Sequence, residues 1–393
     1  MRILFTHRYY WPDSPPYGHM LRNLAEALVR NGYDVNVYSS IPSYREINRR
    51  LPGKEQNAGV SIRRVKVLGK ERSGIHVRVV NTIVYCIGLF LEILRVKPDV
   101  VTASTFPPVI AAWVASIACK IVGAKFIYHM QDIHPEVSLY SGGVLGRGVQ
   151  HKFLKWLDNQ TLRRSAAVVV LSDDMAATLR ERNVQIRNLT IINNPPVGTD
   201  TQLKTVPSEY RKKEDQLRVI FAGNLGRFQN LNLLAEGVAK CFEDVPNLEL
   251  VFLGDGVLKE ELIQKYGNHK QVKFFPFLPF DEARGIIEES DIGLVSLEEN
   301  IYRVSFPSKV STYLSLGLRL LTLVEHNSCL AQLALDNGLG RVPERMESEC
   351  IADELKILSA EQGLSPTGVR WYESNWSPEA IFDQWNKLFS SVS

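Results

Sequence analysis

The chain has 393 residues, 45% of them hydrophobic, which suits about two to three globular domains with sizeable cores and excludes a disordered or fibrous protein. Its five cysteines (Cys86, Cys119, Cys241, Cys329, Cys350) are odd in number and widely spaced, with no Cys-x-x-Cys and no His pair at metal-ligand spacing, so a disulfide scaffold and a zinc site are both disfavoured. The net charge of +3 hides an asymmetry: residues 1–197 carry 26 Lys/Arg against 14 Asp/Glu, and the remainder 20 against 29.

Apolar runs with strand character and segments with helical periodicity alternate from the start: Ile3–Thr6, Met20–Arg30, Asp34–Tyr38, Val60–Val67, Val79–Leu94, Val100–Ala103, Val109–Val122, Phe126–His129 and Val168–Leu171. Such alternation predicts a parallel sheet covered by helices, with ligands at the carboxyl ends of its strands. No charged-then-apolar leader precedes Ile3, so a cytosolic protein with reduced thiols is expected. Arg45 to Arg78 carries ten Lys/Arg against Glu46, Glu55 and Glu71. Lacking aromatic interleaving beyond Tyr44, it suits an anionic membrane surface better than nucleic acid, or is simply a solvated loop and hairpin. Val79–Leu94 is nearly all apolar but short for a membrane span. A core helix and a helix lying in the bilayer interface both fit it.

Asn193-Asn194-Pro195-Pro196-Val197-Gly198 opens a polar stretch to Gln216, the best interdomain linker. Two domains are therefore expected, 1–197 and 198–372, with 373–393 packing back on the first. Beyond the linker the alternation resumes. Arg218–Leu234 reads as strand, tight glycine loop and helix, a place where backbone amides attract phosphate. Leu248–Leu253, Val272–Phe275, Ile292–Ser296 and Leu320–Val324 follow as strands. Pro378–Phe389 is an amphipathic helix with Ile381, Phe382, Trp385 and Phe389 on one face. Two such α/β halves imply two lobes and a cleft. There is no Gly-x-x-x-x-Gly-Lys-Ser/Thr, and Gly254-Asp255-Gly256 lacks the third glycine of a dinucleotide fingerprint, with Lys259 in its place. No Asp-x-Asp offers to chelate a metal, so phosphate chemistry here would rest on amides and cations.

Six short marks occur in order: Pro15-Pro16-Tyr17-Gly18-His19, Lys97-Pro98-Asp99-Val100-Val101, Gln131-Asp132-Ile133-His134-Pro135-Glu136, Phe221-Ala222-Gly223-Asn224-Leu225-Gly226, Leu253-Gly254-Asp255-Gly256 and Phe306-Pro307-Ser308-Lys309. Together they make the chain resemble, over nearly its whole length, the family 4 retaining glycosyltransferases of GT-B architecture, particularly the branch that builds bacterial surface polysaccharides. The resemblance implies two Rossmann-like parallel-sheet domains facing a central cleft, the first binding acceptor and the second a nucleotide sugar, with the C-terminal helix crossing back. It implies transfer of a sugar from a nucleotide diphosphate, UDP foremost, to a lipid-linked or saccharide acceptor. The enzyme would need no metal or other cofactor and would sit peripherally on the inner face of the cytoplasmic membrane.

The same resemblance implies roles for individual residues. Gly18 in the first loop and His129 would lie against substrate, and Asp132 would orient the acceptor or steady oxocarbenium charge. Gly223, Asn224, Gly226 and Arg227 would cradle the diphosphate with Gly254 beside them, Phe277 and Leu278 would meet the base, and Pro307, Ser308 and Lys309 would complete the phosphate site. The usual Arg/Lys pair of the phosphate loop is missing, because Asn224 and Gln229 stand near those positions. Lys309 is expected to replace it. The usual Glu-x7-Glu pair is missing too, with Val304 and Thr312 at its positions, so Thr312 is the candidate for the ribose. A sugar-nucleotide 2-epimerase on the same architecture needs acid and base carboxylates, which the missing pair denies it. A two-lobed solute-binding protein would have the cleft without the chemistry.

Overall fold

A computed structural model describes residues 1–13, 16–42, 51–68, 74–140, 147–196, 206–361 and 363–392. Two compact units divide the chain. Unit 1 comprises Met1–Asn194, Val304–Phe306 and Ile381–Ser393; unit 2 comprises Pro195–Arg303 and Pro307–Ala380. The middle of the expected linker, 197–205, lies outside the described residues, as do Pro15 and two parts of the basic stretch, 45–50 and 69–73.

Unit 1 is built on β1 (Arg2–Thr6), β2 (Asp34–Ser40), β3 (Lys54–Asn57), β4 (Val60–Val65), β5 (Val100–Ser104), β6 (Lys125–His129), β7 (Ala167–Val170) and β8 (Leu189–Ile191). They form one sheet in the order β3-β4-β2-β1-β5-β6-β7-β8, parallel except where β3 turns back on β4. Its helices are α1 (Pro16–Arg30), α2 (Ile75–Val96), α3 (Ile110–Val122), α4 (Glu136–Tyr140), α5 (Gly148–Arg164) and α6 (Asp173–Glu181). Central strands such as β5 and β7 are buried along their whole length, which is why they read as continuous apolar runs rather than alternating ones. The order switches direction at β1 and β5, the position where the carboxyl ends of such a sheet leave a crevice.

Two expectations change in this unit. Within the basic stretch, Arg63 is bonded to Glu92 at 2.5 Å and the buried Arg64 side chain to Glu55 at 2.5 Å, so these two cations serve the fold. Val79–Leu94 belongs to a longer helix, α2, which is a core helix on one side only. Tyr85, Leu89 and Ile93 are buried on one side, while Val79, Ile83, Ile87 and Leu91 face solvent on the other.

Unit 2 is built on β9 (Leu217–Asn224), β10 (Leu248–Asp255), β11 (Val272–Phe275), β12 (Ile292–Ser296), β13 (Arg319–Leu323) and β14 (Gly340–Arg341), all parallel in the order β11-β10-β9-β12-β13-β14. Its helices are α7 (Leu231–Ala239), α8 (Lys259–Tyr266), α9 (Phe280–Glu288), α10 (Lys309–Ser315), α11 (Cys329–Asp336), α12 (Ser348–Ala360) and α13 (Pro366–Asn375). Here the order switches at β9 and β12. The last helix, α14 (Pro378–Val392), belongs to unit 1 from Ile381 onward. It buries Ile381, Trp385 and Phe389, and Phe389 meets Phe5 edge-on at 6.0 Å. Full burial of such side chains contributes about 1.5–3 kcal/mol each, which fixes the chain's return to its first sheet.

Candidate active site

In unit 2 the switch point is framed by the loop after β9 and the start of α10. Tyr313 fastens them together. Its hydroxyl accepts from the Ala222 amide at 2.8 Å and donates to the Ile220 carbonyl at 3.2 Å, while its ring fills space beside Gly293 of β12 that a side chain there would occupy. One turn earlier on α10, Lys309 is half-buried as a residue, yet its ammonium nitrogen is fully enclosed. Nζ lies 3.1 Å from the centre of the Phe221 ring and close to Gly223, with no hydrogen-bond acceptor. Burial pushes its pKa well below the ordinary lysine value, and a ring quadrupole compensates only part of that desolvation. An enclosed cation without an acceptor is what an anion site requires.

The neighbouring residues divide. Gly223 and Asn224 at the end of β9 and Arg227 in the loop after it are solvent-exposed, within reach of a ligand. Gly226 is not: its amide donates to Gln229 Oε1 at 3.0 Å, so Gln229 occupies the donor that was assigned to phosphate. Gly254 is also a structural residue. A Cβ there would fall 2.0 Å from the Gly223 carbonyl oxygen, and its φ of +148° suits glycine alone, so its small size lets β10 run against the end of β9. Lys259 ties the same turn down by donating to the Gly254 carbonyl at 3.1 Å.

Ser308 is exposed at the head of α10 without capping it, and Pro307 is half-buried beside it. Thr312 is buried, where it lines a small pocket with Phe280, Arg284 and Tyr372. Phe277 and Leu278 follow the edge strand β11, separated from β9 by β10. Sequence reasoning passed over Glu298, just past β12. Its carboxyl is pushed up by burial, against the Asn230 amide that lowers it.

In unit 1 the loop after β6 carries Gln131 to Pro135. Asp132 is half-buried, and its Oδ1 accepts from Ser305 Oγ at 2.6 Å. Asp132 and Ser305 also pair as an isolated antiparallel bridge, with the Ile133 amide donating to the Val304 carbonyl at 2.8 Å. Beneath the loop lies Arg182, almost wholly buried. It donates to Asp158 at 2.5 Å, to both oxygens of Glu136, and to the His134 carbonyl at 2.9 Å. Burial raises the Glu136 pKa, but Arg182 and Lys155 more than reverse it and leave the carboxyl below its usual range. Arg182 therefore fixes the backbone two residues from Asp132.

His129 cannot serve a ligand as assigned, because both ring nitrogens are occupied. Gln131 Nε2 lies 2.9 Å from its Nε2, and Tyr17 Oη lies 3.0 Å from its Nδ1. Gln131 Oε1 accepts from Asn194, so its amide nitrogen is the donor to His129 and the proton of the neutral ring resides on Nδ1. Burial lowers the His129 pKa to about 3. Gly18 lies in the first turn of α1 rather than in a loop. A Cβ there would crowd the Tyr9 carbonyl at 3.2 Å, so its close backbone neighbour is its own chain.

Residues 17–195 match the family described as glycosyl transferase 4-like domain, and residues 204–320 match glycosyl transferases group 1. The chain belongs to the family 4 glycosyltransferases. It is 25% identical over 258 residues to a probable glycosyltransferase, WbjE, of Pseudomonas aeruginosa, covering 62% of each chain. It is 20% identical over 350 residues to a putative colanic acid biosynthesis glycosyl transferase, WcaI, of Escherichia coli, covering 85% of this chain and 86% of that one. The alignment thus spans less than two thirds of the Pseudomonas relative. Among solved structures, sucrose-phosphate synthase of Thermosynechococcus elongatus superposes with a TM-score of 0.77 at 14% identity, over 100% of this chain and 98% of that one. Anabaena HepE, solved in complex with UDP, gives 0.67 at 13% identity over the full length of both. These likenesses give this glycosyltransferase the GT-B fold: two parallel-sheet α/β domains.

Proposed function

We propose that this chain moves a sugar from a nucleotide diphosphate sugar, UDP-linked, to a lipid-linked or saccharide acceptor of bacterial surface polysaccharide, with retention at the anomeric carbon. The observation that carries the reading is the Lys309 ammonium, enclosed at the switch point of unit 2 with an aromatic ring below it and no acceptor. Phosphate oxygens are the complement it lacks. Together with Arg227 and the exposed end of β9, it would take the negative charge that gathers on the departing diphosphate, so no divalent metal or other cofactor is required of the reaction.

Unit 1 would receive the acceptor, with Asp132 orienting the attacking hydroxyl from a loop that Arg182 and Ser305 hold in place. Attack on the face that the diphosphate leaves needs no protein nucleophile, and none is assigned. The colanic acid relative supports the acceptor class, and the UDP complex of HepE supports the donor. Calorimetric titration with UDP, GDP and ADP tests the donor site: UDP should bind tightest, and Lys309→Ala should weaken it. Unchanged UDP affinity in that variant would remove the phosphate role. A panel of nucleotide sugars, with and without membrane extract, then tests transfer, since nucleotide diphosphate release should require the extract.

A further inference from the structure

Unit 1 presents apolar side chains to solvent on three helices that pack side by side, α2 against α3 and α3 against α5. On α2, Val79, Ile83, Ile87 and Leu91 recur every four residues, and their exposure runs from 51% to 58%. On α5, Val149, Phe153 and Trp156 recur at helical spacing and are exposed, with the two rings stacked at 6.1 Å. Ile121 adds an exposed position at the end of α3. A ridge, an aromatic pair and a further isoleucine on adjoining helices make more exposed apolar surface than solubility favours.

Charge says what covers it. The only acids on these three helices, Glu92 and Asp158, are buried and already paired, Glu92 with Arg63 and Arg95 and Asp158 with Arg182. The exposed charges there are all cationic: Arg78, Arg95, Lys120, Lys152, Arg163 and Arg164. Such a surface repels a second copy of itself and attracts an anionic bilayer.

The mode of contact follows from how α2 is held. His76–Val96 is long and apolar enough to cross a membrane, with a mean hydropathy of 1.8. Spanning would pull Tyr85, Leu89 and Ile93 out of the core. It would also break the bond from Tyr38 Oη to the Tyr85 carbonyl, where Gly88 leaves room for a hydroxyl that would lie 2.1 Å from any Cβ. We propose that α2, with α5 beside it, lies in the plane of an anionic bilayer, its Ile83–Ile87 ridge and the Phe153–Trp156 pair entering the boundary between headgroups and acyl chains. This placement would serve a lipid-linked acceptor, one of the two classes named in the proposed function on which it rests.

Full-length protein floated with phosphatidylcholine vesicles, with or without 30% phosphatidylglycerol, tests it. Binding should favour the anionic vesicles and weaken with salt. Ile83→Ser/Ile87→Ser and Phe153→Ser/Trp156→Ser should each lower the partition coefficient by at least about tenfold while leaving the melting temperature in place, because these side chains face solvent. Brominated acyl chains should quench tryptophan fluorescence in the wild type and less in Trp156→Phe. Undiminished binding of both double variants, or no quenching, overturns the proposal. So does a dimer that the variants split, which would make the face a contact between copies. UDP titration of the same variants keeps the two readings apart: normal UDP affinity with lost flotation concerns this face alone, and normal flotation with absent UDP affinity fails the donor reading alone.

Discussion

Two buried cations set the units of this protein apart. Arg182 in unit 1 is saturated, with two carboxylates and a backbone carbonyl around a side chain that is 1% exposed. Lys309 in unit 2 has an enclosed ammonium and a phenyl ring. The first is a brace whose partners the fold supplies, and the second is a charge whose partner the fold does not supply. A buried charge lowers stability unless it is paired, and the diphosphate of the proposed function would supply the pairing that Lys309 lacks.

If that contrast is right, removing each cation changes stability with opposite sign. Arg182→Leu leaves the buried Asp158 without its counter-charge and Glu136 with Lys155 alone, and should cost about 3–5 kcal/mol in denaturant unfolding. Lys309→Met removes a desolvated charge and keeps most of the volume, so it should raise stability by about 0.5–2 kcal/mol. Equal losses in the two variants would erase the distinction. In turnover, Lys309→Ala should lose about 3–4 kcal/mol of transition-state stabilisation, a hundredfold to a thousandfold in rate, read as nucleotide diphosphate release. Lys309→Arg should recover part of it, because the charge remains.

The contrast also separates what the sequence could reveal from what it could not. Strand and helix alternation made the two parallel sheets legible, because buried parallel strands are continuous apolar runs and their covering helices keep a helical period. Lys309 stood out as well, in Phe306-Pro307-Ser308-Lys309 beyond a glycine loop short of cations. Its partners could not be read. Phe221 comes within reach only through the packing of α10 against β9, and Gln229 takes the Gly226 amide by a local side-chain bond that no spacing announces. In unit 1, Arg182 meets Glu136 across 46 residues and Asp158 across 24, and Ser305 meets Asp132 across 173. Each of these side chains looks like an ordinary surface polar residue in one dimension. The glycines misled for a related reason, since Gly18 and Gly254 make room for the chain's own backbone, which has the same steric signature as room for a ligand.

Asp132 gives a smaller test of the same contrast, because it sits above the saturated cation. Its carboxylate bonds to Ser305, and the loop beneath it is held by Arg182 independently. Asp132→Asn should therefore keep the melting temperature within a few degrees and leave UDP affinity unchanged, while turnover falls at least about tenfold, or 1.4 kcal/mol. Transfer at the wild-type rate would return Asp132 to a purely structural role.

The finest test is the pH dependence of unit 2. Burial alone lowers the Lys309 pKa, with no charged neighbour contributing, so the ammonium form is disfavoured in the free protein. A diphosphate beside Nζ favours that form and moves the pKa back up. Between the lowered value and the ordinary lysine value the unfolded chain holds one more proton than the folded one, so this group makes stability rise with pH in that window. Nucleotide binding does the reverse: it takes up the proton, and affinity should fall as pH rises, by at most about tenfold per pH unit. One side chain thus tilts stability and affinity in opposite directions. Lys309→Met should flatten both slopes, and because the nucleotide's own titration is common to both proteins, the difference between them isolates the lysine. Calorimetry in two buffers of different ionisation enthalpy counts the proton directly. If wild type and Lys309→Met take up equal numbers, the ammonium is already charged in the free protein, and its enclosure over Phe221 does not set its protonation.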